Sequence, residues 1–478
     1  MSSNVFPERG QGHAALIKQL QAFKRNDVPW QEGRVFAYVY DPGPEASALV
    51  HEAFSLFLTE NGLDPTAFPS TLALERAITA MAKDLVHGPD QAVGNFTSGG
   101  TESILLSVKT ARDRARALQP EITRPEMVLP ETAHAAFFKA AQYFDIKPVV
   151  TSVDPDTFRA DPNQIEAAVT AQTILLVASA PSYAHGVVDP IEAIGRIAQA
   201  HDLLFHVDAC MGGMYLPFAG PDVPIFDFRV AGVTQLSMDF HKWGYAAKGA
   251  SCILYRSADI RRHQIFAWSG WTGYSVVNPT VLSTRGAGPM AACWAILHHL
   301  GRAGYERIVA QCQAATGRII DAIDAMPGLY CLGRSDCNLM SFASDRVNVF
   351  TLAEDMRARG WYIQPQFGFG PSPANIHLSV GLHNLANIDA FLADLEAANR
   401  QAPAEGPAPG PEQLPPELGG FSPEDLFDHM GRLAGTDGSV LPDRMDGINS
   451  LLNGLPHATR DSLLTEFVNR LYRQAPSG

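Results

Sequence analysis

Between residues 95 and 255, short apolar runs alternate with longer runs of helical period, and that alternation leaves few architectures open. Residues 127–129, 149–150, 173–178, 203–207, 236–238 and 251–255 read as strands. The stretches 98–118, 134–143, 163–171 and 190–200 read as helices. In the first, Ile104, Leu105 and Val108 make an apolar stripe; Pro190 opens the last. Parallel neighbours need a crossover, and a helix after each strand supplies one. The expectation is an α/β fold with a mostly parallel sheet and helices on both faces. In such sheets ligands sit beyond the carboxyl ends of the strands.

The rest of the chain divides around this unit. Residues 1–60 form an N-terminal segment and 61–300 the large domain. A helix at 290–300 leads into a smaller C-terminal α/β domain, 301–400, with strands expected at 357–367 and 375–380. A linker rich in Pro, Gly and Glu covers 401–420. The tail, 421–478, reads as helical, with an N-cap expected at Ser422-Pro423-Glu424-Asp425. Leu463, Leu464, Phe467, Val468 and Leu471 share one face there. So separated, the tail is expected to be dispensable for catalysis.

Charge and composition exclude several partners. The formal net charge is -14 and no basic run stands out, which argues against nucleic acid or an anionic membrane. The first twelve residues are polar, and no apolar stretch reaches about 18 residues, so neither a secretory signal nor a membrane anchor is expected. Six cysteines lie scattered with no Cys-x-x-Cys pair, which suits reduced thiols in a cytoplasmic protein and argues against a metal site.

Four motifs carry chemistry, each at a strand end or helix start. Met238-Asp239-Phe240-His241-Lys242-Trp243-Gly244 puts a lysine on a turn just past an apolar strand. Desolvation there would lower its pKa and make the amine a nucleophile toward an aldehyde. A lone lysine is ordinarily a surface residue; its neighbours reverse those odds. Asp208, in His206-Val207-Asp208-Ala209-Cys210-Met211-Gly212-Gly213, ends an apolar strand, where a carboxylate is costly unless paired. A protonated ring nitrogen is a fitting partner, a helix cap the plainer one. Thr97-Ser98-Gly99-Gly100-Thr101-Glu102-Ser103 opens the long helix and offers free N–H groups to a phosphate, although many helices begin this way merely to cap themselves. His134 follows a strand and is placed either to stack on an aromatic group or to serve as a plain polar helix start.

In this order the motifs resemble those of the pyridoxal-phosphate-dependent group II decarboxylase superfamily, and within it the sphingosine-1-phosphate lyase family. The segments 97–104 (TSGGTESI), 206–213 (HVDACMGG) and 241–249 (HKWGYAAKG) carry the likeness. So do 180–191 (APSYAHGVVDPI) and the run from Asn278 to Trp294. The likeness spans roughly 33–400 and stops before the tail.

The resemblance implies the aspartate-aminotransferase-like fold and pyridoxal 5'-phosphate as cofactor. By it, Lys242 carries the cofactor and His241 lies beside its phosphate. Asp208 pairs with the ring nitrogen, His134 stacks on the ring, and Gly99, Gly100 and Thr101 cradle the phosphate. Tyr40 and Lys248 match positions that hold the substrate's own phosphate. Thr284 and Arg285 would reach the site from the partner subunit of a homodimer. The implied reaction cleaves a phosphorylated long-chain base into a long-chain aldehyde and phosphoethanolamine. Departures exist: Asp64 stands where the lyases have a histidine, Thr284 where they have serine, and Asn278 where they have the serine of Ser-Pro-Thr. An ionised Asp64 would repel a phosphate dianion, which favours the alternative, an L-amino-acid decarboxylase on the same scaffold. A non-catalytic binding module acting through its tail is the third reading.

Overall fold

A computed structural model describes residues 6–410, 425 and 444–472. The alternation folds into a seven-stranded sheet built from β1 (Val93–Thr97), β2 (Glu126–Pro130), β3 (Lys147–Thr151), β4 (Thr173–Ser179), β5 (Leu204–Ala209), β6 (Gln235–Asp239) and β7 (Ser251–Tyr255). Their order is β1-β7-β6-β5-β4-β2-β3. From β6 to β3 neighbours run parallel; β7 alone is antiparallel to both its neighbours. Every residue of β4, β5 and β6 is buried, because helices cover both faces. That is why β4 reads as a nearly continuous apolar run, while β5 and β6 interrupt theirs with buried polar residues, among them Asp208, Ser237 and Asp239. The β5–β6 register sets Asp208 opposite Ser237 at the carboxyl edge.

Two smaller sheets follow. β8 (Phe266–Trp268) and β9 (Val276–Asn278) form an isolated antiparallel ribbon. β10 (Leu329–Cys331), β11 (Leu339–Ser344), β12 (Gln364–Gln366) and β13 (Asn375–Ser379) make an antiparallel sheet ordered β10-β11-β13-β12. The Gly288–Asp324 helix joins the two parts and breaks at Gly301, whose φ is 56°. The N-terminal segment is stitched to the small sheet: Phe36 N–H donates to Tyr362 O at 2.9 Å and Phe36 O accepts from Ser379 N–H at 2.7 Å. Phe36 itself is fully buried in the second core with Trp361 and Phe391. This anchoring carries Tyr38 and Tyr40 over the large sheet.

Two local expectations need correction. The 357–367 stretch is not one strand: Val349–Ala358 is a helix, started by the Asn348 side chain accepting from Phe350 N–H; Gln364–Gln366 is a strand of the small sheet, and Tyr362 makes an isolated bridge to Val35. The helix expected over 163–171 is confined to Pro162–Ala167.

The tail is not free of the body either. Helices Asp446–Gly454 and His457–Leu471 lie against the small domain. Leu452, Leu455 and Leu463 are buried there with Phe367 and Phe467. The apolar face divides: Leu463 turns inward, while Leu464, Val468 and Leu471 stay exposed. Of the cap expected at Ser422-Pro423-Glu424-Asp425, only Asp425 is among the described residues.

Candidate active site

A cavity of about 640 Å³ opens at the carboxyl ends of β4, β5 and β6, against the N-terminus of the Gly100–Leu118 helix. Lys242, Asp208, His134, Gly99, Gly100, Thr101, His241, Tyr40 and Lys248 all line it. Nine residues marked in the sequence are thus brought to one place.

Lys242 sits on the turn after β6, with Nζ 2.9 Å from Asp239 Oδ2. The sequence argument had its pKa lowered by desolvation. Burial does push it down, but Asp239 more than reverses this, with Cys210 and Tyr40 assisting, and the ammonium is held above its ordinary value. Asp239 is buried at the last residue of β6; burial alone would raise its carboxyl, yet Lys242, His241 and the Ser251 hydroxyl hold it below the usual range. Ser251 Oγ donates to Asp239 Oδ1 at 2.6 Å. Asp239 was missed as a site residue, although it ends an apolar strand as Asp208 does.

Asp208, at the carboxyl end of β5, is also buried. Its Oδ1 accepts from Cys210 N–H at 3.0 Å and from Ser237 Oγ at 3.3 Å. Oδ2 has no hydrogen bond among the described residues, and Asp208 lines the cavity. Behind it, His206 Nε2 lies 3.0 Å from the same Ser237 hydroxyl, and burial pushes that imidazole down to about 4, so it is neutral.

The Gly100–Leu118 helix has Gly99 at its N-cap and no side-chain cap, so its first N–H groups are left for a ligand. The Glu102 carboxylate is spent on the backbone, accepting from Ser98 N–H at 2.6 Å and from Val281 N–H at 2.8 Å. A side chain at position 100 would crowd Cys210 Sγ and the Asp239 carboxylate, so glycine is required. The His134 Nδ1 accepts from Ala136 N–H at 3.1 Å, which leaves its proton on Nε2 and fixes the ring. His241 Nδ1 accepts from Ala250 N–H at 3.3 Å, while Nε2 lies 3.7 Å from Asp239.

The outer part of the cavity is aromatic and basic. Lys248 Nζ lies 4.6 Å over the Tyr40 ring and donates to His241 O at 3.1 Å. Burial, then the neighbouring Lys242, lowers Lys248 to about 8. Burial raises both the Tyr40 and Tyr183 phenols to about 12. Tyr183 OH donates to Gln364 Oε1 at 2.7 Å. Tyr183 and Gln364 also escaped the sequence reading; they lie 181 residues apart and meet only in the fold.

Three marked residues lie elsewhere. Thr284 is exposed and outside the cavity. Arg285 does not reach this chain's cavity: its guanidinium pairs with Glu75 at 2.9 and 3.0 Å and donates to Phe96 O at 2.9 Å. Asp64 is exposed, outside the cavity, and spends Oδ1 on the Thr66 hydroxyl and N–H, which hold its carboxyl below the usual range. Within one chain it repels nothing in the site.

These groups fit a flat, phosphorylated aldehyde. An amine for the aldehyde, an open buried carboxylate oxygen for a cationic ring nitrogen and an uncapped helix start for a phosphate face one volume, which is in the range that small-molecule sites occupy.

Comparison with known proteins agrees. The family model for the pyridoxal-dependent decarboxylase conserved domain matches residues 6–343. A second model, for a C-terminal helix-turn-helix domain of pyridoxal-dependent enzymes, matches 407–470. The chain is 37% identical over 420 residues to a sphingosine-1-phosphate lyase of Arabidopsis thaliana, covering 86% of this chain and 75% of that one. It is similar to the solved structure of a Burkholderia pseudomallei sphingosine-1-phosphate lyase, with a TM-score of 0.80 and 36% identity over 84% of this chain and 93% of that one. A Lactobacillus brevis glutamate decarboxylase structure shares the fold at a TM-score of 0.74 and 18% identity, covering 84% and 95% of the two chains.

Proposed function

The chain belongs to the pyridoxal-dependent decarboxylase family, among its sphingosine-1-phosphate lyases, and from that premise we propose that it cleaves a phosphorylated long-chain amino alcohol between C2 and C3. It is a pyridoxal-phosphate-dependent carbon–carbon lyase. The observation that carries the substrate class is the 37% identity to a sphingosine-1-phosphate lyase across 86% of the chain.

The cofactor, when bound, supplies an electron-poor ring that takes up the electron pair released as the C2–C3 bond breaks. Lys242 would hold the cofactor through its amine. Asp208 would offer its open oxygen to the ring nitrogen and keep that nitrogen protonated. His134, its ring oriented by Ala136 N–H, would stack on the ring. The helix-start amides of Gly100 and Thr101 would hold the cofactor phosphate, with His241 beside them. Lys248 and Tyr40 receive the substrate's phosphate, for which a cation at the cavity's outer part is suited. A base would take the 3-hydroxyl proton as the C2–C3 bond cleaves, and Lys242, as the ammonium beside Asp239, would return a proton to C2. The products are a long-chain aldehyde and phosphoethanolamine.

The exposed apolar side chains of the β8–β9 ribbon support a homodimer, in which Thr284 is offered to the partner's cavity. Among the described residues no helix is long and apolar enough to cross a membrane. Six free cysteines support a cytoplasmic location. The test is to incubate the purified protein with sphingosine-1-phosphate and, separately, with a panel of amino acids. Long-chain aldehyde from the first is expected. Carbon dioxide from an amino acid, with no aldehyde, would replace the lyase by the decarboxylase.

A further inference from the structure

The reaction leaves the C-terminal helices without a task, and the wall of the cavity formed by Tyr183 points to one. Tyr183 is gripped by two residues that face each other across a hairpin. Gln364 on β12 and His377 on β13 are register partners. Gln364 takes the phenol's hydrogen bond, and the His377 ring stacks on the Tyr183 ring with centroids 4.3 Å apart. β12 has three residues and is the edge strand of its sheet, so among the described residues no strand pairs with its other side.

The tip of this hairpin, residues 367–374, reads Phe-Gly-Phe-Gly-Pro-Ser-Pro-Ala and closes on itself through the reciprocal Phe369–Ser372 backbone pair, at 2.9 and 3.0 Å. It is also braced from outside. On one side Ser372 Oγ lies 3.0 Å from His185 Nε2. Gly370, at φ +57°, presses so closely on Glu131 that a side chain there would collide with the carboxylate. On the other side stands the tail. Asn453 is buried, its Oδ1 accepts from Gly368 N–H at 2.7 Å and its Nδ2 donates to Pro409 O at 2.9 Å. The Arg460 guanidinium lies 4.6 Å over the Phe367 ring. The 407–478 span carries ten acidic and five basic residues, which gives its helices no electrostatic attraction to nucleic acid.

We propose that the C-terminal helix pair is a brace for the Tyr183 wall of the active site, with Asn453 and Arg460 as positioning residues. They hold the β12–β13 hairpin and, through Gln364 and His377, the Tyr183 phenol. The proposal rests on this cavity being the active site but not on which substrate enters it.

Asn453→Ala, Gln364→Ala and the double variant form a cycle, run on the holoenzyme with whichever substrate the wild type turns over. Each single change is expected to lower kcat/KM about tenfold, the scale of one hydrogen bond. The double variant should fall no further, because both act through one contact chain. Hydrogen–deuterium exchange needs no substrate: Asn453→Ala should speed exchange across 180–186, a stretch that makes no hydrogen bond to the tail among the described residues. Where Asn453→Ala fails to fold, Arg460→Met replaces it, and Arg460→Lys, which keeps a cation over Phe367, should restore activity. Additive losses in the cycle overturn the proposal. So does a variant whose exchange rises only in the tail and 367–370 while kcat/KM stays at the wild-type value. Inactivity of the wild type toward sphingosine-1-phosphate would fail the substrate reading alone.

Discussion

Lys242 Nζ lies 2.9 Å from Asp239 Oδ2, and that carboxylate is 1% exposed. A buried ion pair of this kind is strong only while both partners stay charged. Asp239 is held below the ordinary carboxylate range, so its contribution is present at neutral pH and lost as pH falls through its depressed pKa. Lys242 is held above the ordinary ammonium value, so its contribution is present below that value and lost as pH rises through the raised one. Neutral pH lies inside both limits. The pair thus keeps the apoprotein stable and its amine protonated.

Asp239→Asn should free that amine. Cofactor loading onto the apoprotein, followed by stopped-flow absorbance, should then start to rise at lower pH than in wild type. The apoprotein should also melt earlier than wild type. Loading with the same pH profile in both proteins would mean that Asp239 does not govern Lys242.

Asp208→Asn should retain the fold and lose the rate. An amide oxygen still accepts from Cys210 N–H and Ser237 Oγ, so the thermal midpoint should hold. What is lost is the negative charge facing the ring nitrogen. A fall in kcat of roughly 10²- to 10³-fold is expected, the range of other site electrostatic contacts. A near-wild-type rate would reduce Asp208 to a structural residue.

Lys248 supplies a pH test. Its ammonium is lowered to about 8, chiefly by burial and then by Lys242. It is charged below that pH and loses its charge above it. The kcat/KM for a phosphorylated substrate should therefore fall as pH rises through about 8. In Lys248→Met that limb should vanish and KM should be high throughout. A limb unchanged in Lys248→Met would assign the titration to another group.

Much of this site was readable because its residues lie beside the glycines and strand ends that position them. Lys242, Asp208 and the 97–103 loop each carry their own local signal. Asp239 carried the same signal as Asp208, a carboxylate ending an apolar run, and was passed over for the lysine after it. The direction of the Lys242 shift was misread for that reason. Tyr183 and Gln364 have no local signal, since neither pattern predicts the other across 181 residues. Arg285 was read through a neighbouring motif, but its partner Glu75 lies 210 residues away. The tail's apolar face was visible; the surface it meets was not.

Arg285 and Glu75 should behave as a structural pair. Both are buried, and Glu75 also accepts from Asn95 Nδ2 and Phe96 N–H, each at 3.0 Å. Arg285→Met or Glu75→Leu alone strands a buried charge and should cost about 3–5 kcal/mol. The double variant should cost much less than the sum, read from urea midpoints. Arg285→Met with wild-type stability and a raised KM would return Arg285 to the substrate, as the sequence argued.

The ribbon of β8 and β9 bears on assembly. An isolated two-stranded ribbon is marginal in water, yet this one presents Phe266 at 51%, Trp268 at 57% and Val277 at 59% exposed. Val281 and Leu282, just beyond it, are 58% and 50% exposed. Large apolar groups gathered on one short stretch are costly in a monomer and ordinary in an interface. A second copy of the chain is the simplest cover, and two-fold closure the commonest form. Wild type should sediment as a dimer at micromolar concentration. Trp268→Glu with Val277→Glu should shift it to monomer and lose activity, because Thr284 is then withdrawn from the partner's cavity. A monomeric wild type with full turnover would show that each chain completes its own site.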